Sequence, residues 1–92
     1  MKNKVLIIFK YPREQWNTPI INKFSNFYDI ECLYISDYQN KNFTEIVNEI
    51  NSLIKVKNIE IAVFDVDYFK FINFFFIQKI NANKKILISG DY

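Results

Sequence analysis

The residues best suited to chemistry in this sequence follow the apolar segments that are expected to form strands. Lys10, Arg13 and Trp16 follow the first such segment, and Asp65 and Asp67 follow the third. Cationic and aromatic side chains can contact a polar ligand, and two carboxylates separated by one residue can bind a divalent metal or orient a polar group. We therefore take these residues as candidate ligand-binding residues, and we assign neither a catalytic residue nor a set of metal ligands.

Several other chemistries are excluded by the residue types present. The 92 residues include no histidine and a single cysteine, Cys32, so they cannot form a Cys/His zinc site or a Cys–His or Ser–His nucleophile pair. The one glycine, Gly90, cannot supply a dinucleotide-binding or Walker loop after the first strand. The 12 basic and 10 acidic residues are dispersed, without the run of like charge that marks a nucleic-acid-binding arm. We expect no cofactor and no nucleic-acid partner.

The elements that must position the candidate residues follow from apolar periodicity. Runs rich in branched apolar residues predict strands over 5–9, 30–35, 61–64 and 85–88. Helical spacing predicts helices over 19–28, 43–58 and 69–81. Thr18 and Pro19 are typical of a helix start, and Asn42 with Glu45 three residues later resembles a capping box. In the second helix, Ile50 and Leu53 should face the sheet.

The alternation of these elements predicts one α/β domain with a parallel sheet. Strands that alternate with helices imply right-handed crossovers, which is typical of Rossmann-like and flavodoxin-like folds. The first and third strands are the most continuously apolar and should be central neighbours, which gives the order 2-1-3-4. In such a sheet the loops at the carboxyl ends of the strands form the ligand-binding edge, and the candidate residues fall in those loops.

The extent and location of the protein are also expectations from the sequence. Residues 1–92 read as a single incomplete domain, because complete doubly wound domains usually continue for another helix and strand. No signal peptide is visible, and the longest apolar stretch, 68–80, is interrupted by polar residues and too short for a transmembrane segment. Together with a lone cysteine, these features favour a cytoplasmic protein.

The predicted third helix is apolar on nearly every side, which indicates burial on more than one side. In so small a domain the second side implies additional protein, either the remainder of a longer chain or a homo-oligomeric partner. The candidate contact residues are Phe71, Phe74 and Phe75. An alternative function is therefore a noncatalytic α/β interaction domain that docks through this helix.

The segment Asp65-Val66-Asp67 admits more than one interpretation. Similar Asp-x-Asp sequences occur in haloacid-dehalogenase phosphatases, but there Gly-Thr follows on the first strand, whereas Tyr68 and Phe69 follow here on the third. The spacing also resembles the metal-binding Asp-x-Asp of GT-A glycosyltransferases. A structural alternative is that Asp67 caps the third helix while Asp65 accepts hydrogen bonds from loop N–H groups.

Three segments together resemble the N-terminal lobe of bacterial GT-B glycosyltransferases. They are residues 4–12 (KVLIIFKYP), 29–35 (DIECLYI) and 59–65 (IEIAVFD). The resemblance implies a two-lobed, metal-independent enzyme whose N-terminal lobe receives the sugar acceptor, while a C-terminal lobe outside these residues binds the nucleotide-sugar donor. It further implies that this lobe is inactive alone and that the candidate residues face the cleft. No catalytic residue of the family maps onto this sequence.

Overall fold

The structure is a computed structural model that describes residues 3–65 and 74–88. Strands and helices alternate along the described chain, as the sequence predicts. The elements, in chain order, are β1 (Lys4–Phe9), α1 (Glu14–Ser25), β2 (Asp29–Tyr34), a 3-10 turn (Ile35–Tyr38), α2 (Phe43–Lys57), β3 (Ile61–Asp65), α3 (Phe74–Lys79) and β4 (Lys84–Ile88).

The strands form one parallel sheet in the order β2-β1-β3-β4. The register places Val5 of β1 beside Ile30 of β2 and Ile61 of β3. The predicted strand order is therefore confirmed, and the architecture is that of a Rossmann-like or flavodoxin-like α/β domain. The two edge strands are β2 and β4, and β1 and β3 lie between them.

Helices cover both faces of the sheet, which explains why β1 is apolar at every position. Leu6 and Ile8 face the side that carries α2 and α3. Val5, Ile7 and Phe9 face the opposite side, which carries α1. All of these side chains are fully buried. A strand enclosed on both faces has no solvent side, so polar residues do not alternate along it.

Helix α2 begins and ends with local signals that are visible in the sequence. The Asn42 side chain accepts a hydrogen bond of 2.9 Å from the backbone N–H of Glu45. At the other end, Asn58 adopts a left-handed conformation with φ of 54°, and its N–H donates hydrogen bonds to the carbonyl oxygens of Ile54 and Lys55. Asparagine tolerates this conformation better than most residues. Ile50 is fully buried against the sheet, as predicted, and Leu53 is half-buried against the same cluster.

The predicted bounds of α1 are wrong by several residues at each end. The helix begins at Glu14, because the Arg13 carbonyl oxygen accepts hydrogen bonds from the N–H groups of Trp16 and Asn17. Pro19 therefore lies inside the helix and does not start it. The helix ends at Ser25, and the chain then turns into β2 through hydrogen bonds from the N–H groups of 27 and 28 to the Phe24 carbonyl oxygen.

Helix α3 and the residue that follows it contribute to the core. Phe76 and Ile80, which follows the helix, are buried on the α2 side of the sheet. The Phe76 ring contacts Phe64 of β3 and Phe43 of α2 edge-on, with centroid distances of 6.4 and 5.6 Å. The predicted helix extended over 69–81, but it ends at Lys79, and 69–73 lie outside the described residues.

The proposed contact residues of the third helix are only partly covered by the structure. Phe71 lies outside the described residues, and Phe74 and Phe75 are described only as backbone in the first turn of α3. The homo-oligomer contact through them stays a prediction. No helix that the structure describes is long and apolar enough to cross a membrane.

Candidate functional site

The candidate site lies at the carboxyl edge of the sheet, where β1 and β3 end side by side. The two strands are parallel neighbours, so the loops that leave them emerge at the same edge. Lys10 follows β1 directly, and Asp65 is the last residue of β3. Ligands of open parallel sheets bind at this edge where the strand order reverses, which in this topology is between the first and third strands.

The β1–α1 loop places two cations on one aromatic ring. The Lys10 Nζ atom lies 5.3 Å from the centroid of the Tyr11 ring, and the Arg13 Cζ atom lies 5.2 Å from the same centroid. These distances allow cation–π attraction. The Tyr11 side chain is 39% exposed, so the cluster faces solvent. The sequence predicts both cations as site residues but does not identify the tyrosine that joins them.

Asn17 holds this loop in place from the first turns of α1. Its side-chain Nδ2 donates a hydrogen bond of 2.8 Å to the Tyr11 carbonyl oxygen, and the side chain is only 3% exposed. The Arg13 backbone N–H donates a second hydrogen bond, of 3.0 Å, to the same Tyr11 carbonyl oxygen. A buried amide is stable only when it is hydrogen-bonded, so the bond and the loop conformation support each other. Nothing in the local sequence distinguishes Asn17 from the other asparagines.

Arg13 and Trp16 line an open groove at the start of α1, which we call the α1 groove. It has a volume of about 480 Å³, and its lining also includes Glu14 and Gln15. The Trp16 side chain is 41% exposed. An exposed tryptophan beside an arginine offers a flat apolar face and a charged hydrogen-bond donor to the same ligand.

A second groove lies on the other side of Tyr11, between the β1–α1 loop and the 3-10 turn. We call it the tyrosine groove. Its volume is about 320 Å³. Two of its lining residues are joined by a backbone hydrogen bond of 2.9 Å, which the N–H of Ser36 donates to the Lys10 carbonyl oxygen. The side chains that matter for its chemistry are Lys10, Tyr11, Ile35, Tyr38, Lys41 and Ile46.

The surroundings of Tyr38 favour the neutral form of its hydroxyl group. Burial raises the pKa of Tyr38 above its ordinary value, and the negative charges of Glu49 and Asp37 raise it further, while Lys41 opposes them. The hydroxyl is therefore protonated at neutral pH and can donate a hydrogen bond. Lys41 forms an exposed ion pair with Glu49, with an N–O distance of 3.4 Å.

Of the two candidate aspartates, the structure describes only Asp65. The Asp65 side chain is fully buried at the end of β3. Asp67 lies outside the described residues. The metal-binding and helix-capping interpretations of the Asp-x-Asp segment therefore stay predictions. Within residues 3–65 and 74–88, no three acidic or cysteine side chains come together as a potential metal site.

The predicted site residues thus fall into separate groups around one loop. Lys10 and Arg13 meet at the Tyr11 ring, but Lys10 lines the tyrosine groove, whereas Arg13 and Trp16 line the α1 groove. Asp65, the last residue of the neighbouring strand β3, is buried.

No protein-family model, curated protein or solved structure matches the chain.

Proposed function

We propose that this chain is the acceptor-side lobe of a GT-B glycosyltransferase and that the carboxyl edge of its sheet receives the sugar acceptor. The observation that carries the proposal is the β1–α1 loop, where Lys10 and Arg13 contact the exposed Tyr11 ring and Arg13 lines a groove with the exposed Trp16. The parallel 2-1-3-4 sheet supports it, because this topology collects its ligand contacts at that edge.

The chemistry of the loop suits a polar ring such as a sugar. The aromatic faces of Tyr11 and Trp16 can pack against the apolar face of a ring. Arg13 can donate hydrogen bonds to hydroxyl or carboxylate oxygens at the rim of that ring. Because Asn17 fixes the backbone carbonyl of Tyr11, these side chains extend from a loop that is already ordered, which lowers the entropy lost on binding.

Acceptor contacts are assigned to the exposed residues and not to Asp65. Its carboxyl group lies inside the sheet, fully shielded from solvent. The second lobe implied by the resemblance binds the nucleotide-sugar donor, and no catalytic residue is assigned within this chain.

The test is glycosyl transfer from nucleotide sugars by the protein that carries this lobe, with and without EDTA. A GT-B enzyme needs no divalent metal, so transfer should persist in EDTA. Transfer that EDTA abolishes and Mn²⁺ or Mg²⁺ restores would favour a metal-binding Asp65-x-Asp67 segment and contradict the GT-B assignment. Absence of any nucleotide-sugar turnover in either condition would contradict glycosyl transfer itself.

A second candidate function is a protein-interaction domain, and exposed apolar side chains favour it. Phe27 is 71% exposed and Val56 is 77% exposed, and both lie near the amino edge of the sheet. Leu87, on the edge strand β4, is 50% exposed. Single exposed apolar residues are common on soluble proteins, so this candidate ranks second. This candidate would be favoured if Leu87→Lys abolished binding of a partner protein while leaving the carboxyl edge of the sheet unchanged.

A further inference from the structure

The two edge strands of the sheet carry opposite charge. The edge strand β2 contains Asp29 and Glu31 and no basic residue. The opposite edge strand, β4, contains Lys84 and Lys85 and no acidic residue. No strand that the structure describes pairs with the outer side of either one. Each edge therefore presents backbone N–H and C=O groups to a further strand, and its side chains favour a strand of the opposite charge.

The registers of the four strands show which residues lie in the same row across the sheet. Counted through β1 and β3, Glu31 at one edge is in the same row as Lys85 at the other. If a second copy continued the parallel sheet without a shift, each row would end beside the residue that begins the same row in that copy. The end residues of the rows that cross all four strands are Ile30 and Lys84, Glu31 and Lys85, Cys32 and Ile86, and Leu33 and Leu87.

The row ends on the α2 side of the sheet match in charge and in polarity. Lys85 of one copy would lie beside Glu31 of the next, which is an opposite-charge pair. Leu87, which is 50% exposed, would lie beside Leu33 and lose its contact with water. Cross-strand pairs of both kinds stabilise a sheet.

The row ends on the α1 side are mainly apolar. Ile86 and Cys32 are half-buried side chains that pack on the same apolar cluster, and they would be neighbours across the junction. The remaining row brings Lys84 beside Ile30. The Lys84 side chain is exposed, so its apolar stem can cover Ile30 while its ammonium group stays in water.

Both members of the Glu31–Lys85 pair already have weak contacts within their own chain. The Glu31 Oε1 atom lies 3.5 Å from the Nζ atom of Lys57, and both side chains are partly exposed. The Lys85 Nζ atom lies 3.5 Å from the Gln78 carbonyl oxygen. Exposed contacts of this kind contribute little, and a carboxylate has a second oxygen that can accept from another cation. These contacts therefore leave the pair between copies possible.

We propose that β4 of one copy pairs in parallel with β2 of a second copy, so that the sheet continues from chain to chain. Such a contact is heterologous, because it joins two different edges and leaves one of each exposed at the ends of the assembly. Neighbouring strands twist by roughly 20–25°, so four strands turn each copy by about 80–100° from the one before. The assembly is therefore an open helical array and not a closed dimer. The inference does not depend on the proposed function.

Cysteine crosslinking of the 92-residue chain reports which strands meet. The unaltered chain carries its one thiol, Cys32, on β2, and the variant Cys32→Ser/Ile86→Cys carries one on β4 only. Neighbouring strands lie about 4.8 Å apart, within the Cα separation that a disulfide spans. In an equimolar mixture under a mild oxidant, disulfides between one copy of each protein should outnumber those within either species. A contact through the third helix does not produce this pattern.

Every other crosslinking pattern contradicts the proposal. Disulfides mainly between two copies of the variant would show that β4 pairs with β4. Disulfides mainly between two unaltered chains would show that β2 pairs with β2. Mixed and unmixed products in the proportion of random collision would show no specific pairing. Far-UV circular dichroism checks that the variant is folded, and if it is not, charge variants of the Glu31–Lys85 pair give the decision.

Charge exchange tests the ion pair between copies directly. The variants are made on Lys57→Gln, which removes the intrachain contact of Glu31. In sedimentation velocity, the mean mass should rise with concentration beyond that of a dimer, and Lys85→Glu should weaken association about two- to fivefold. Adding Glu31→Lys should restore it, because the two charges are then exchanged. Lys55→Glu, at an exposed lysine of α2, is the control of equal net charge and should have no effect. Equal weakening by the control, no restoration, or a mass that stops at the dimer would overturn the proposal.

Discussion

The backbone N–H of Ser36 donates a 2.9 Å hydrogen bond to the carbonyl oxygen of Lys10. This contact continues the pairing of β1 with β2 beyond their last paired residues, Phe9 and Tyr34. As a result, the two loops that form the tyrosine groove leave the sheet side by side.

Truncation of Ile50 should destabilise the domain strongly. The side chain is fully buried between α2 and the sheet, so Ile50→Ala removes apolar contacts and leaves a cavity. The free energy of unfolding should fall by about 2–5 kcal/mol in chemical denaturation. Lys55→Ala, on the exposed side of the same helix, is the control and should have almost no effect. Similar losses for both variants would show that the assigned helix face is wrong.

Asn51 should stabilise the contact between α2 and the segment that follows α3. Its Nδ2 donates to the Lys79 carbonyl oxygen at 2.9 Å, and its Oδ1 accepts from the Asn81 N–H at 2.8 Å. Asn51→Ala removes both bonds and should cost about 1–3 kcal/mol in chemical denaturation, at about 1 kcal/mol for each bond. Asn48→Ala, an exposed asparagine one turn earlier, should be nearly silent. A silent Asn51→Ala would contradict this role.

The thiol of Cys32 should react slowly at neutral pH. Burial raises the pKa of Cys32 most, and the negative charge of Glu31 raises it further, so the reactive thiolate is less populated than in a free cysteine. The rate of iodoacetamide alkylation should rise with pH through a midpoint above that of free cysteine. Glu31→Gln should lower the midpoint because it removes the repelling charge. A midpoint at or below that of free cysteine would contradict the assigned environment.

Self-association is expected if the third helix needs a partner. Light scattering of the chain at about 100 μM should give a mass above that of a monomer, because weak symmetric contacts form in this concentration range. Phe71→Ser should reduce the mass. Val56→Ser removes an exposed apolar side chain at the amino edge of the sheet and so tests that surface separately. A monomer under these conditions, or equal effects of the two variants, would contradict the predicted contact.

Much of the fold could be predicted because its signals are local. The continuous apolar run from Val5 to Phe9 identified a strand covered on both faces, and Asn42 with Glu45 identified the start of α2. The start of α1 could not be predicted in the same way. Asn17 binds the Tyr11 carbonyl oxygen, a contact that reaches back across the loop, and Pro19 lies inside the helix although proline is typical of a first helical position.

The candidate site was predicted only in part for a related reason. Lys10 and Arg13 could be identified because the carboxyl ends of strands are where ligands bind, which requires only the order of elements. The tyrosine groove requires Lys10 and Tyr38 to come together from two separate loops. Their separation in the sequence carries no periodic signal, and the 3-10 turn that presents Tyr38 has no distinctive start residue.

The most direct test of the acceptor-lobe account is the effect of Arg13→Ala on the two Michaelis constants of the protein that carries this lobe. Arg13 is exposed in the α1 groove, so its loss should leave the fold intact. The KM for the acceptor should rise about two- to tenfold, the range expected for one lost charged hydrogen bond at a partly exposed site, while the KM for the nucleotide sugar stays unchanged. Lys23→Ala, an exposed cation in the last turn of α1, should alter neither constant. A raised KM for the nucleotide sugar, or no change in either constant, would contradict the account.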